Sequence, residues 1–213
     1  MEWSAQVDGY CERLGPGFWA EPVNALTNLA FIVAAIWAWR RGEGVVPVRV
    51  LAAILFAIGV GSGLFHTLAT RWAGVADVVP ILIYILTYIY LANKHFLGLS
   101  WVWSGVGTAL FFPYAAATVP LFAMVPGLGG SAGYAPVPLL IFAYAVALRH
   151  RLPEVAQGLA IGAGILVLSI LFRALDMGVC TGWPLGTHFM WHILNAVMLG
   201  WMIEVLWRFL VKG

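Results

Sequence analysis

Residues 48–68 read VRVLAAILFAIGVGSGLFHTL, an apolar run whose only Lys or Arg, Arg49, stands in its first turn. A hydrocarbon core about 30 Å thick takes roughly 20 residues of α-helix, so this run has the length of one membrane crossing. Six further runs have the same character, at 23–39, 76–93, 101–121, 134–149, 155–174 and 187–209. Pro113 and Pro120 interrupt the fourth of the seven, and a Gly-rich stretch from Pro126 to Gly133 follows it. Such breaks persist in a membrane only where neighbouring helices cover them. The expected fold is all-α: one seven-transmembrane helix bundle over residues 1–213, with 1–22 as an extracytoplasmic N-terminal segment.

Composition agrees. Hydrophobic residues make up 62% of the chain and charged residues 9%, against about 25% charged in soluble domains. Mean hydropathy is +0.93. A net charge of +2, scattered between apolar runs, offers no basic patch for nucleic acid. Met1-Glu2-Trp3 opens without a basic stretch leading into an apolar one, so the first spanning helix is expected to direct insertion.

Positive charge orients the bundle. With the N-terminus outside, the inner loops and tail hold Arg40, Arg41, Arg49, Lys94, Arg149, Arg151, Arg208 and Lys212, leaving Arg13, Arg71 and Arg173 outside. The expectation is N-terminus out and C-terminus cytoplasmic. Arginine in excess of lysine, with abundant alanine and glycine, points to a bacterial inner membrane. This topology brings His66, Asp77, His188 and His192 to one membrane depth, on the extracytoplasmic side.

Ionisable groups inside a membrane helix cost roughly 2.5–3.5 kcal/mol each on insertion scales and are rare unless paired or functional. His188 and His192, four residues apart, share a helical face, one turn from each other. Alone, such a pair equally suits backbone or headgroup contacts at a membrane rim. His66 supplies a third imidazole, and catalytic zinc typically takes three protein ligands with water in the fourth position. Ser62 lies one turn deeper than His66 on the same face, either as a packing serine or as a participant in chemistry. The HFMWH stretch at 188–192 lacks the glutamate of the HExxH zinc-protease motif, so a proton-transferring carboxylate must come from another helix. Asp77 is the nearest candidate, with a helix N-cap as its alternative role. Asp176 reads more simply as an ion pair with Arg173, three residues earlier. His95 and His150 stand beside Lys94 and Arg149 and read as interfacial. Glu204 lies three turns beyond His192, too far along the helix to reach the same ion.

Gly61-Ser62 to His66, then Asp77, Arg173-x-x-Asp176 and His188-x-x-x-His192 form an ordered set that resembles the alkaline ceramidase family, part of a superfamily of seven-helix membrane hydrolases that includes the adiponectin and progestin receptors. The resemblance runs from Asp8 to His192. It implies zinc ligation by His66, His188 and His192, a catalytic role for Asp77 near the metal-bound water, and Ser62 beside the metal. Tyr10-Cys11-Glu12, with Glu21 and Asn24, resembles the segment that binds calcium in animal alkaline ceramidases. Gly9 stands where an aspartate is expected and Leu14 where an asparagine is expected, with Asp8 one residue away from compensating. The implied calcium ligands are thus Asp8, Glu12, Glu21 and Asn24, and the alternative is an acidic, solvated tail. Cys11 and Cys180 both fall on the outer side, where disulfides persist, so a bond between them is expected.

The function implied is zinc-dependent hydrolysis of a membrane lipid amide, with ceramide cleaved to sphingoid base and fatty acid. Three other classes stand beside it. One is a receptor or regulator with structural zinc. Another is a metal-free hydrolase using Ser62 and His66 as a dyad. The last is a transporter, although the two halves of the chain show no repeated pair of interrupted helices. Acyl-chain preference, amide against ester, and oligomeric state are not encoded in any motif.

Overall fold

Prolines, a left-handed residue and short turns set the helix ends. The computed structural model describes residues 2–212. Helix α1, Pro22–Thr27, starts on proline, whose missing N–H costs nothing at a first helical position. It joins α2, Leu29–Arg41, at an offset where the Thr27 hydroxyl donates back to the carbonyls of Val23 and Asn24 at 2.8 and 3.0 Å, a competition that bends helices. Then come α3, Val46–Leu68, and α4, Arg71–Leu91. A π-helical turn, Ala92–Phe96, extends α4. They are followed by α5, Trp101–Ala109, α6, Phe111–Ala123, α7, Pro136–Leu148, α8, Pro153–Val179, and α9, His188–Lys212.

Taken as spans, these form seven helices long and apolar enough to cross a membrane. Among the described residues there is no strand, only an isolated bridge between Gln6 and Thr70. The third span's start and the sixth span's end differ from the sequence expectation, while the fourth span carries the interruption expected at Pro113. The third span starts at Arg71, because Ala69, at φ 46°, ends α3 in the left-handed region and extended Thr70 begins α4 at once. The fourth breaks at Leu110, where Pro113 has no N–H for the carbonyl of Ala109 and its ring crowds that group. The sixth continues to Val179, since Asp176 is buried and partnered rather than a stop.

Helix α9 is the most buried span, packed against α2 and α8, while α3 lies between α2 and α4. Its inward face runs through Trp191, Met198, Met202, Ile203 and Leu206. Val33, Ile36, Phe56, Val60 and Ile83 point outward, as a lipid-facing surface requires. Between α4 and α7 lies an apolar cavity, walled by Ile81, Ile85 and Ile89 on one side, Leu140 and Ile141 on the other, and floored by Met198. At the end of the bundle remote from the histidines, Glu204 accepts from Arg41 at 3.1 and 3.2 Å and from Arg208 at 2.8 Å.

Candidate metal centre

His66 occupies the last full turn of α3, and His188 and His192 occupy the first two turns of α9. All three imidazoles are buried, and one ligand atom from each lies within 4.8 Å of the others. Nε2 of His66 and Nε2 of His192 are 3.0 Å apart.

The other ring nitrogens explain what that short contact means. Nδ1 of His66 lies 2.6 Å from Oε2 of Glu21, a carboxylate that only accepts, so Nδ1 carries the proton. Nδ1 of His192 lies 2.9 Å from the Thr27 hydroxyl, which already donates to the backbone, so this nitrogen also donates. Both Nε2 atoms therefore turn lone pairs toward each other. A cation between them would convert that repulsion into coordination. Two nitrogens bound at 2.0–2.1 Å to one tetrahedral ion lie about 3.3 Å apart, close to the spacing here. His188 contributes a buried Nδ1 that has no hydrogen-bond partner. The three histidines thus fit a metal ion and are compatible with zinc, and the carboxylate and hydroxyl behind two of them are the outer partners that orient metal-ligating imidazoles.

Glu21 is held in turn. Its Oε1 accepts from Nε of the buried Arg13, and its Oε2 accepts from Nδ2 of Asn24 at 3.1 Å. Burial alone would push the Glu21 carboxyl up. Hydrogen bonds and electrostatic pull from His66, with the bonds from Arg13 and Asn24, instead hold it below the usual carboxylate range. Tyr10 stacks on His188 with ring centroids 3.6 Å apart, and burial pushes its phenol up to about 12 against the pull of Arg173.

Asp77 and Ser62 face each other across α3 and α4, with His66 nearby. Gly61 makes this approach close: a Cβ there would run into the carbonyl of Ala76 and come 3.3 Å from the Cα of Asp77. Because α4 starts at Arg71 with Thr70 as its cap residue, Asp77 sits in the second turn and is not a helix cap.

Asp176 does not pair with Arg173. Its Oδ1 accepts the backbone N–H of Thr187 at 2.7 Å and of His188 at 2.8 Å, while Oδ2 accepts that of Cys11 at 2.9 Å. Arg173 donates instead to the Ser131 hydroxyl at 2.9 Å and the Tyr10 hydroxyl at 3.3 Å. Gly186, at φ 66°, leaves the space that the Asp176 carboxylate fills. The spacing rule for i,i+3 pairs gave no hint of this capping role. Nor did the sequence single out Arg13 or Thr27, whose partners are remote or backbone.

Cys11 and Cys180 are bonded to each other, fastening the N-terminal segment over the histidines. Of the other residues implied by resemblance, Glu12 accepts the backbone N–H groups of Val23 and Asn24, both at 2.8 Å, and Asp8 is exposed. No family model and no curated protein matches the chain.

Proposed function

We propose that the chain is a zinc-dependent membrane hydrolase that cleaves the amide bond of a ceramide-like lipid. The observation that carries this reading is the meeting, at one end of the bundle, of a three-histidine ligand set with a carboxylate and a hydroxyl from α3 and α4. Among the described residues the cluster holds three ligands and no fourth His, Cys, Asp or Glu, the pattern of a catalytic rather than a closed structural zinc site.

His66, His188 and His192 would hold the zinc, which would supply a Lewis acid able to activate water near neutral pH. Asp77 takes a proton from the attacking water and returns it to the departing amine nitrogen, a contribution commonly worth about 10²–10⁴-fold. The Ser62 hydroxyl donates to the oxygen that gains charge at the amide carbon. Lipid chains enter the apolar cavity between α4 and α7, whose lining includes Trp191, one residue before His192. A metal-free Ser62–His66 dyad is disfavoured, because Nδ1 of His66 is engaged by Glu21 and Nε2 faces His192.

The site faces the extracytoplasmic side of a bacterial inner membrane in this reading. Two features support the extracytoplasmic placement: Arg40, Arg41, Arg49, Lys94, Arg149, Arg151, Arg208 and Lys212 lie at or near helix ends remote from the histidines, and the disulfide lies at the histidine end.

The deciding experiment incubates purified, zinc-quantified protein with ceramides, other acyl amides and phospholipids, and identifies released fatty acid by mass spectrometry. Release from ceramides alone supports the proposal. Stoichiometric zinc with no release from any lipid favours a receptor or regulator.

A further inference from the structure

The family likeness of the N-terminal segment implies calcium, and the side chains present do not fit it. Calcium takes 6–8 oxygen ligands. Both oxygens of Glu12 are taken by backbone N–H groups. Both oxygens of Glu21 are taken by Arg13, His66 and Asn24. Asp8 is exposed to solvent, which leaves the unpartnered Oδ1 of Asn24 as the one buried side-chain oxygen of the four residues without a hydrogen bond.

A cation already stands among them. Arg13, 6% exposed, donates from Nε to Glu21, from NH1 to the carbonyl of Gly15 at 3.0 Å, and from NH2 to the carbonyl of His66 at 3.1 Å. Its guanidinium therefore grips one metal ligand twice, directly at the His66 backbone and through Glu21 at the His66 ring. We infer that Arg13 is the resident cation of this segment, taking the place of calcium, and that it acts as a positioning residue for His66. The planar fork matters as much as the charge, since three acceptors in different directions suit a guanidinium and not a single ammonium. The N-terminal segment is consequently ordered without any divalent ion in solution. The inference rests on the metal reading of the three histidines for its second half only.

The test uses the full-length protein in detergent, freed of calcium by dialysis. Calcium is titrated to about 5 mM, above the 10⁻⁴–10⁻³ M range of weak extracellular sites, while thermal unfolding and bound calcium are measured. No bound calcium and no change in midpoint are expected; one calcium per chain, or a rise in midpoint, overturns the inference. Zinc retention against a competing chelator is then compared for wild type, Arg13→Gln and Arg13→Lys. Loss of an outer partner of a metal ligand typically weakens metal binding about 10–100-fold, and that loss is expected for both variants. Wild-type retention in Arg13→Lys overturns the positioning role, as it does in Arg13→Gln. Should Arg13→Gln fail to fold, the Lys variant and the wild-type calcium titration still decide. Wild-type protein that binds no zinc at all would refute the metal reading, while the calcium titration would continue to judge Arg13 as the resident cation. None of these readouts depends on hydrolysis.

Discussion

The carboxylate of Asp176, on α8, accepts the backbone N–H of His188 at the start of α9, at 2.8 Å. The same side chain takes the N–H groups of Thr187 and Cys11, so one residue joins the N-terminal segment, the connection into α9 and a histidine of the candidate metal centre. Asp176→Ala strands these donors, each costing about 1–3 kcal/mol when left unpaired in the interior. The variant should unfold well below wild type in detergent melts and lose zinc. Asp176→Asn, which keeps one acceptor oxygen, should fall between the two. Identical melting of the Ala variant would mean the bonds contribute nothing.

Removing any one of His66, His188 or His192 leaves two ligands for the ion. Elemental analysis of each Ala variant should show zinc falling from about one per chain toward zero, since catalytic sites hold zinc through three protein ligands. His95→Ala and His150→Ala, remote from the cluster, should keep full occupancy. Equal zinc in all five variants would place the metal elsewhere.

Asp77→Asn preserves shape and removes the proton acceptor. Turnover should drop about 10²–10⁴-fold with zinc retained. Ser62→Ala should lower kcat by about 10²–10³, the usual effect of losing one oxyanion donor. Lipid-amide hydrolysis persisting in Asp77→Asn would remove Asp77 from the chemistry.

Gly61→Ala places a methyl group where the α4 carbonyl of Ala76 stands. Overpacking of this kind costs about 1–3 kcal/mol. Because the displaced segment carries Asp77, activity should fall further than the shift in unfolding midpoint accounts for. Gly164→Ala, which meets open space, serves as the control and should behave as wild type.

Tyr10 gives a pH signature. Its phenol ionises near 10 in the unfolded chain and at about 12 when folded, chiefly because it is buried. The folded state therefore holds the proton longer, and the stabilisation from the neutral phenol is complete below pH 10 and disappears as pH rises through about 12. The stability difference between wild type and Tyr10→Phe should shrink across that window in melts run at stepped pH. A constant difference would show that Tyr10 titrates normally.

The seven spans were legible because lipid demands long apolar helices, and residues 48–68 already have the length of one crossing. The HxxxH spacing at 188–192 and the isolated His66 announced the histidine cluster for a related reason: a buried imidazole in a membrane helix needs a partner or a task. What supports those histidines was not legible. Glu21, Thr27 and Asp176 act on residues 12 to 165 positions away, through single hydrogen bonds that no local periodicity encodes. Ala69 ended α3 in a left-handed conformation more usual for glycine, so the start of α4 lay five residues earlier than hydropathy placed it.

The bond between Cys11 and Cys180 ties together two chain segments 169 residues apart at the histidine end of the bundle. The segment it fastens lies over the histidines, with Tyr10 flat against His188 and Arg13 locked beneath. An ion held by the three histidines would sit behind this buckle. Reduction of the disulfide should therefore speed the loss of such an ion to a competing chelator.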